Sequence, residues 1–155
     1  MTLKNIDKNN ALFVIRNNQT FEDRTELVEI TTEGRFSLKN GTYFLVYREY
    51  TEVGENSVII RASGNVASMR RKGVSNARMD YIPNTHREVL YRVPYGELVI
   101  DLYTETVENT LSEENGGMLK LKYKLDINDE HYCNDMELKV ILNESPISDG
   151  KGDFE

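Results

Sequence analysis

The sequence predicts an all-β fold, a single antiparallel up-and-down β-barrel of about eight to ten strands with a lipocalin-like or calycin-like architecture. Nearly every segment alternates apolar and polar side chains with period two, and connections of two to five residues rich in Gly, Pro and Asn separate the segments. Such short connections join antiparallel neighbours, because parallel strands need long crossovers. Closing a long meander into a barrel buries its apolar faces and removes its edges.

The first half of the chain contains five predicted strands. Gly34 interrupts the second of them, where it suits a bulge or a sharp bend. Asn40 and Gly41 tolerate the positive φ of the hairpin turn that follows. The third strand is rich in aromatic and branched residues on both parities, so its inward face stays undecided. The five predicted strands are residues 11–18, about 25–38, 42–51, 57–63 and 66–71.

The second half continues the meander. Residues 76–82 and 86–93 are predicted to form a hairpin around the turn at 83–85. A long strand over residues 97–111 leads to the turn at 115–117. The strand behind that turn has the clearest pattern, with an apolar face and a charged face, and a last strand covers residues 131–142. The two faces of the clearest strand are Leu119, Leu121, Tyr123, Leu125 and Ile127 against Lys120, Lys122, Lys124 and Asp126.

Length and composition favour one cytoplasmic domain. A chain of 155 residues buries a single core without disulfides or metals, so we assign residues 11–142 to the barrel and expect 1–10 and 143–155 to be flexible termini. Neither the first ten residues nor any later apolar run suits a secretory signal or a membrane helix. Cys133 is the only cysteine, which fits a reducing compartment.

Charge is distributed unevenly along the chain. The net charge of -7 opposes non-specific attraction to phosphate backbones and anionic lipids. Residues 61–92 nevertheless hold seven basic side chains against Asp80 and Glu88, while residues 97–116 hold six acidic side chains and no basic one. Neighbouring strands of opposite sign pairing across the sheet would explain this, and so would an anion-binding patch.

Several motifs in fixed order resemble the YwiB-like family of small bacterial proteins. They are Thr32-Glu-Gly-Arg-Phe, Asn40-Gly-Thr-Tyr-Phe-Leu-Val-Tyr-Arg-Glu, Arg78-Met-Asp-Tyr, Pro94-Tyr-Gly and the strand 117–127. The resemblance covers roughly residues 11–142. It implies a calycin-type, lipocalin-related β-barrel of unknown function, and it brings no established catalytic residues with it.

The residues themselves predict no catalytic, metal or cofactor site, so we expect a protein that is not an enzyme. His86 and His131 each lie at a strand start beside a turn, which suits solvated polar residues better than metal ligands or general bases. Cys133 shares a strand face with His131, but the pair alone is weak support for nucleophilic catalysis. Among the serines no Gly-x-Ser-x-Gly elbow occurs.

The leading functional hypothesis is non-catalytic binding of a small apolar or amphipathic ligand inside the barrel. Strand alternation sends Met79 and Tyr81 to one face and Arg78 and Asp80 to the other. Core packing explains the first pair equally well, and an exposed ion pair explains the second. The hypothesis places around the ligand Tyr47, Met79, Tyr81, Tyr91 and Tyr95, with Arg78 as an anion contact.

Two rival hypotheses use the outer surface. In the first, the barrel is filled and the basic region 61–92 docks an acidic protein partner. In the second, the arginines of this region and Tyr81, Tyr91 and Tyr95 bind single-stranded nucleic acid, which the overall charge disfavours. Arg48 allows two interpretations as well. It faces outward, or it is a buried cation that pairs with a carboxylate such as Glu29 or Glu33 to offset its desolvation. The sequence leaves the ligand, the partner and the oligomeric state open.

Overall fold

The computed structural model describes residues 9–143, so of the predicted flexible termini, 1–10 and 143–155, residues 1–8 and 144–155 lie outside the described residues. All of the secondary structure described is β. It contains no helix that is long and apolar enough to cross a membrane. The strands are β1 (Ala11–Phe21), β2 (Arg24–Lys39), β3 (Thr42–Thr51), β4 (Gly54–Ser63), β5 (Val66–Gly73), β6 (Ala77–Tyr81), β7 (Thr85–Val93), β8 (Gly96–Asn109), β9 (Gly117–Ile127) and β10 (Glu130–Leu142).

The ten strands form one antiparallel sheet that curls into a nearly closed barrel. Its order is β6-β5-β4-β3-β2-β1-β10-β9-β8-β7, so every strand is paired with its neighbours in the chain except that β6 and β7 stand at the two ends, and β1 also lies beside β10. The β1–β10 ladder runs the full length of β1, from Ala11 opposite Leu142 to Phe21 opposite Tyr132. The predicted all-β, up-and-down barrel is confirmed.

The predicted hairpin between residues 76–82 and 86–93 is wrong. β6 and β7 are joined by a single bridge, in which Asn76 and Arg92 exchange backbone N–H···O bonds of 2.8 Å. Pro83 has no N–H to donate, and the Asn84 N–H donates instead to the Thr104 carbonyl oxygen at 2.7 Å. The connection is therefore bonded to β8, and the barrel closes at a weak seam between β6 and β7.

The middle of the barrel is filled by apolar side chains that are at most 8% exposed. On β3 the inward parity is that of Leu45 and Tyr47. Arg48 therefore faces outward, where it pairs with Glu55. The largest fully buried side chains include Tyr81, Phe13, Leu45, Leu102, Leu119, Leu121 and Leu138.

β2 changes neighbours at Gly34. Residues 24–34 pair with β1, whereas β2 pairs with β3 only from Gly34 to Lys39. The first ten residues of β2 therefore have no ladder with β3, because residues 30–33 separate from β3 and residues 24–29 extend past its end at Thr51. This leaves an opening in the barrel wall. The Phe13 ring packs over Gly34, which has no Cβ to obstruct it.

Candidate functional site

An ion pair closes one side of the barrel end where β5 meets β6. The Arg71 guanidinium, which faces inward, donates from Nε and Nη2 to the two Glu49 carboxylate oxygens at 2.7 and 3.0 Å. Its Nη1 donates to the Tyr91 hydroxyl at 3.2 Å. The side chains of Arg71 and Glu49 are only 16% and 23% exposed. One guanidinium thus links β3, β5 and β7 across the weak seam.

The charges of this pair stabilise each other. Burial alone would raise the pKa of Glu49, but the hydrogen bonds from Arg71 and Asn56 hold it below its ordinary value. Burial would likewise lower the pKa of Arg71, and the bonds to Glu49 outweigh that effect and raise it. Asn56 is 2% exposed, and it donates to Glu49 Oε1 at 3.0 Å. The side chains of Glu49, Asn56, Arg71 and Tyr91 thus form a hydrogen-bonded polar cluster, which we call the polar plug.

Three tyrosines lie beneath the plug. The rings of Tyr81 and Tyr123 are 5.0 Å apart between centroids, and the Tyr81 hydroxyl donates to Met79 Sδ at 3.3 Å. Burial raises the pKa of Tyr47 and of Tyr123 to about 12, although the nearby Arg71 charge opposes the rise. Burial also raises the pKa of Tyr81 well above its ordinary value. All three hydroxyls are protonated at neutral pH.

These pKa values predict an alkaline transition. A tyrosine whose folded pKa exceeds its ordinary value of 10.0 contributes stability below pH 10, and this stability is lost as pH rises toward 12. We expect ultraviolet titration of tyrosinate to show a late component near pH 12 that Tyr47→Phe reduces. The chain unfolded in guanidinium serves as the control and should lose that component. A late component unchanged on unfolding would contradict the assignment.

The residues proposed to line a ligand do not meet around one cavity. Tyr47, Met79 and Tyr81 are packed in the core, and Tyr91 is half-buried with its hydroxyl on Arg71. Tyr95 lies in the turn between β7 and β8 and is 91% exposed. Depressions of about 300 to 530 Å3 occur on the surface of the described chain, on the outer wall or at an opening of the barrel.

Arg78 lies on the outer wall, with its Nε 3.3 Å from an Asp80 carboxylate oxygen. It belongs to one of the depressions, which spans the seam and has a volume of about 380 Å3. We call this depression the basic groove. Its charged lining residues are Arg70, Arg71, Lys72, Arg78 and Arg92, and its other lining residues are Asn76, Ala77 and Leu90.

The basic groove contains cations that have no carboxylate partner within the described sheet. Arg70 and Arg78 lie directly opposite each other on β5 and β6, a like-charge arrangement that is destabilising. Arg92 has Glu97 at 2.8 Å. Among residues 9–143, neither Arg70 nor Lys72 has a carboxylate within 4.0 Å. The site therefore carries an excess of positive charge that is open to solvent.

Ion pairing between neighbouring strands of opposite charge, one of the two explanations of the uneven charge distribution, is found on only part of the surface. The acidic strand β8 is partly balanced by its neighbours, as in Lys124–Glu105 at 3.4 Å and Arg92–Glu97 at 2.8 Å. The cations of β5 face β6 and the seam instead. The charge bias of residues 61–92 was the sequence signal for the basic groove. That Lys72 and Arg92 share one site was not predictable, because the seam brings them together.

An apolar strip borders the basic groove. Leu90 lies opposite Val99 on the outer face of β7 and β8, and the two residues are 44% and 57% exposed. Tyr95, at the end of the same hairpin, adds an exposed ring. A partner that docks here meets positive charge beside apolar surface.

The two histidines lie along another depression on the outer wall, of about 410 Å3. His131 Nδ1 is 2.5 Å from Asp126 Oδ1, and this hydrogen bond raises the pKa of His131. Cys133 is exposed in the same depression. Within residues 9–143, no group of three or more His, Cys, Asp or Glu side chains is arranged to hold a metal ion.

Comparison with known proteins places the chain in a family. The family described as Domain of unknown function (DUF1934) matches residues 14–140. The chain belongs to this family of YwiB-like β-barrel proteins. It is 24% identical over 105 residues to the uncharacterized beta-barrel protein YwiB of Bacillus subtilis (strain 168), covering 68% of this chain and 73% of YwiB.

The fold of the DUF1934 chain agrees with a solved structure. The crystal structure of the ywiB protein from Bacillus subtilis superposes with a TM-score of 0.76 and 17% sequence identity, covering 93% of this chain and all of that one. At this identity the likeness concerns the fold alone. The β-barrel is thus common to both proteins, while the family description assigns no activity.

Proposed function

We propose that this protein is an interaction module that docks an acidic protein segment in the basic groove. The observation that carries the proposal is the set of four exposed cations, Arg70, Lys72, Arg78 and Arg92, gathered across one seam. Two of these cations have no carboxylate of their own in the described chain. An acidic segment would neutralise them, and its apolar residues would cover Leu90 and Val99.

The rival functions have less support. A ligand inside the barrel needs an enclosed space of a few hundred Å3, whereas the inward residues of the described barrel are closely packed. Binding of single-stranded nucleic acid needs aromatic rings that are open for stacking. Tyr81 is 1% exposed, and Tyr91 turns inward to Arg71, which leaves Tyr95 as the accessible ring of the three.

Charge reversal in the basic groove should weaken binding of an acidic peptide. The probe is fluorescein-labelled decaglutamate, followed by anisotropy at low and physiological salt. We expect Arg70→Glu with Lys72→Glu to weaken binding at least about tenfold, about 1.4 kcal/mol, because both unpaired cations are lost. Binding by the unaltered protein should fall as salt increases.

The matched control variant is Lys122→Glu with Lys139→Glu. It makes the same change in net charge on the outer faces of β9 and β10, away from the basic groove. It should bind decaglutamate nearly as well as the unaltered protein. Equal weakening by both variants would reduce the effect to net charge and refute the docking site. Tighter binding of oligothymidylate than of decaglutamate would favour the nucleic-acid function instead.

A further inference from the structure

We infer that the open edge of β2, residues 24–33, is a strand-addition site for an extended segment of alternating apolar and basic residues. This edge lies where β2 has left β3, because their ladder begins only at Gly34 opposite Tyr47. On its other side the same stretch pairs with β1, from Thr20 opposite Thr25 to Leu12 opposite Glu33. Half of its backbone N–H and C=O groups therefore point to a strand position that nothing in residues 9–143 occupies.

The open edge lacks three features that protect many sheet edges, namely proline, a bulge and short length. It is ten residues long, about 33 Å, and its ladder with β1 has no register shift. It contains no proline. By contrast β6, which borders the seam, is only five residues long. Long, regular edges are templates for another strand.

Two apolar side chains are exposed along this edge on the inner face of the barrel. Val28 and Ile30 have the same parity as the buried Phe36, so they face inward, yet they are 48% and 44% exposed. They are exposed because no described strand lies beside them in the position that β3 occupies further along. An added strand would place every second side chain against them, as cross-strand neighbours do.

The outer wall beside the opening offers a place for the added strand to enter. A depression of about 530 Å3 lies where β2 and β3 separate. Tyr47 lines its floor, and Tyr50, which is 73% exposed, stands at its margin on β3. The remaining lining residues are Asn9, Thr32, Glu33, Arg35, Val46, Arg48 and Ser57.

Charge decides which kind of strand fits. Along the open edge three carboxylates, Glu26, Glu29 and Glu33, accompany one cation, Arg24, and Arg16 of β1 pairs with Glu29 at 3.2 Å. Antiparallel pairing of two copies of β2 would double this acidic excess across one ladder, which disfavours a second copy of the chain. A strand with lysine or arginine at alternate positions would offset it. The site is independent of the basic groove, which lies on the other side of the barrel.

The test uses a fluorescein-labelled octapeptide of alternating lysine and valine. Two reference peptides accompany it: one of the same composition with the lysines grouped before the valines, and one with glutamate in place of lysine. We expect the alternating peptide to bind at least about tenfold more tightly than either, about 1.4 kcal/mol. Amide hydrogen exchange of the full chain with that peptide should show new protection within residues 24–33.

Substitutions on the protein separate this site from other surfaces. Val28→Lys with Ile30→Lys should weaken binding about tenfold, since it removes the apolar contacts and repels lysine. The control, Val66→Lys with Ile141→Lys, adds the same charge at residues 38% and 41% exposed and should bind normally. The Arg70→Glu, Lys72→Glu variant should also bind normally, so failure here is distinguishable from failure of the acidic docking site.

Three results would overturn the inference. Equal affinity for the grouped peptide would show simple charge attraction. Protection confined to residues outside 24–33 would place the peptide elsewhere. A dimer in sedimentation that the Val28→Lys, Ile30→Lys variant dissociates would make a second copy the occupant of the edge.

Discussion

Replacing Gly34 with alanine should lower the free energy of unfolding by about 3 kcal/mol, the upper range for overpacking, equal to a melting temperature roughly 6–12 °C lower. An added Cβ would lie 2.3 Å from Phe13 Cε2 and 2.6 Å from the Val46 carbonyl oxygen. Phe13 is fully buried, and the carbonyl belongs to the β3 backbone, so moving either of them away from the added Cβ costs free energy. Chemical denaturation followed by circular dichroism measures the loss.

Gly41→Ala is the matched control for this prediction. A Cβ at Gly41 meets no atom within 4 Å, so only its positive φ of 81° is strained, at about 1 kcal/mol. Adding Phe13→Leu to Gly34→Ala should relieve part of the clash while removing core volume. A loss at Gly34 no larger than that at Gly41 would contradict the close packing at the bend of β2.

The second large effect is expected from Arg71→Met, which should lower stability by about 3 kcal/mol. The substitution leaves the Glu49 charge largely buried without its guanidinium, and it removes the side-chain link to Tyr91 across the seam. Because Arg71 holds the pKa of Glu49 below its ordinary value, the pair adds stability above that value and loses it as pH falls. Urea denaturation at neutral and acidic pH measures both effects, and the deficit of the variant should shrink in acid.

Two comparisons make the Arg71 prediction specific. Arg48→Met removes the exposed partner of Glu55, and it should cost no more than about 0.5 kcal/mol because water screens that pair. The double variant Arg71→Met, Glu49→Met should recover most of the lost stability, since no unpaired charge stays buried. If Arg71→Met and Arg48→Met cost the same, the buried pair has no special structural role.

The strands and most turns were predictable from the sequence because they depend on near neighbours. Period-2 alternation located the strand 117–127 and its two faces, and the structure buries Leu119, Leu121 and Tyr123. Positive φ at Asn40 and Gly41 agrees with the predicted turn. The exposed Arg78–Asp80 pair also follows from alternation alone. The short connections were sufficient to predict an antiparallel meander that closes into a barrel.

Only the tertiary structure could decide which strands meet where the barrel closes. Residues 42–51 are apolar on both parities, so alternation could not choose the inward face of β3. Glu49 and Arg71 are 22 residues apart, and their contact depends on how β3 and β5 curve around β4. The weak seam follows from the bonding of Asn84 to β8, and it brings Arg92 to Lys72 in the basic groove.

The sequence by itself determined that this chain forms an antiparallel β-barrel and where its strands lie, because side-chain alternation and turn residues act over a few positions. The contacts that close the barrel were decided by tertiary packing, because they join residues far apart in the chain, as where the buried Phe13 ring packs over Gly34. β2 pairs with β3 only from Gly34 onward, and β6 and β7 are joined by one bridge. Both candidate binding surfaces lie at these two gaps, which no local pattern encodes.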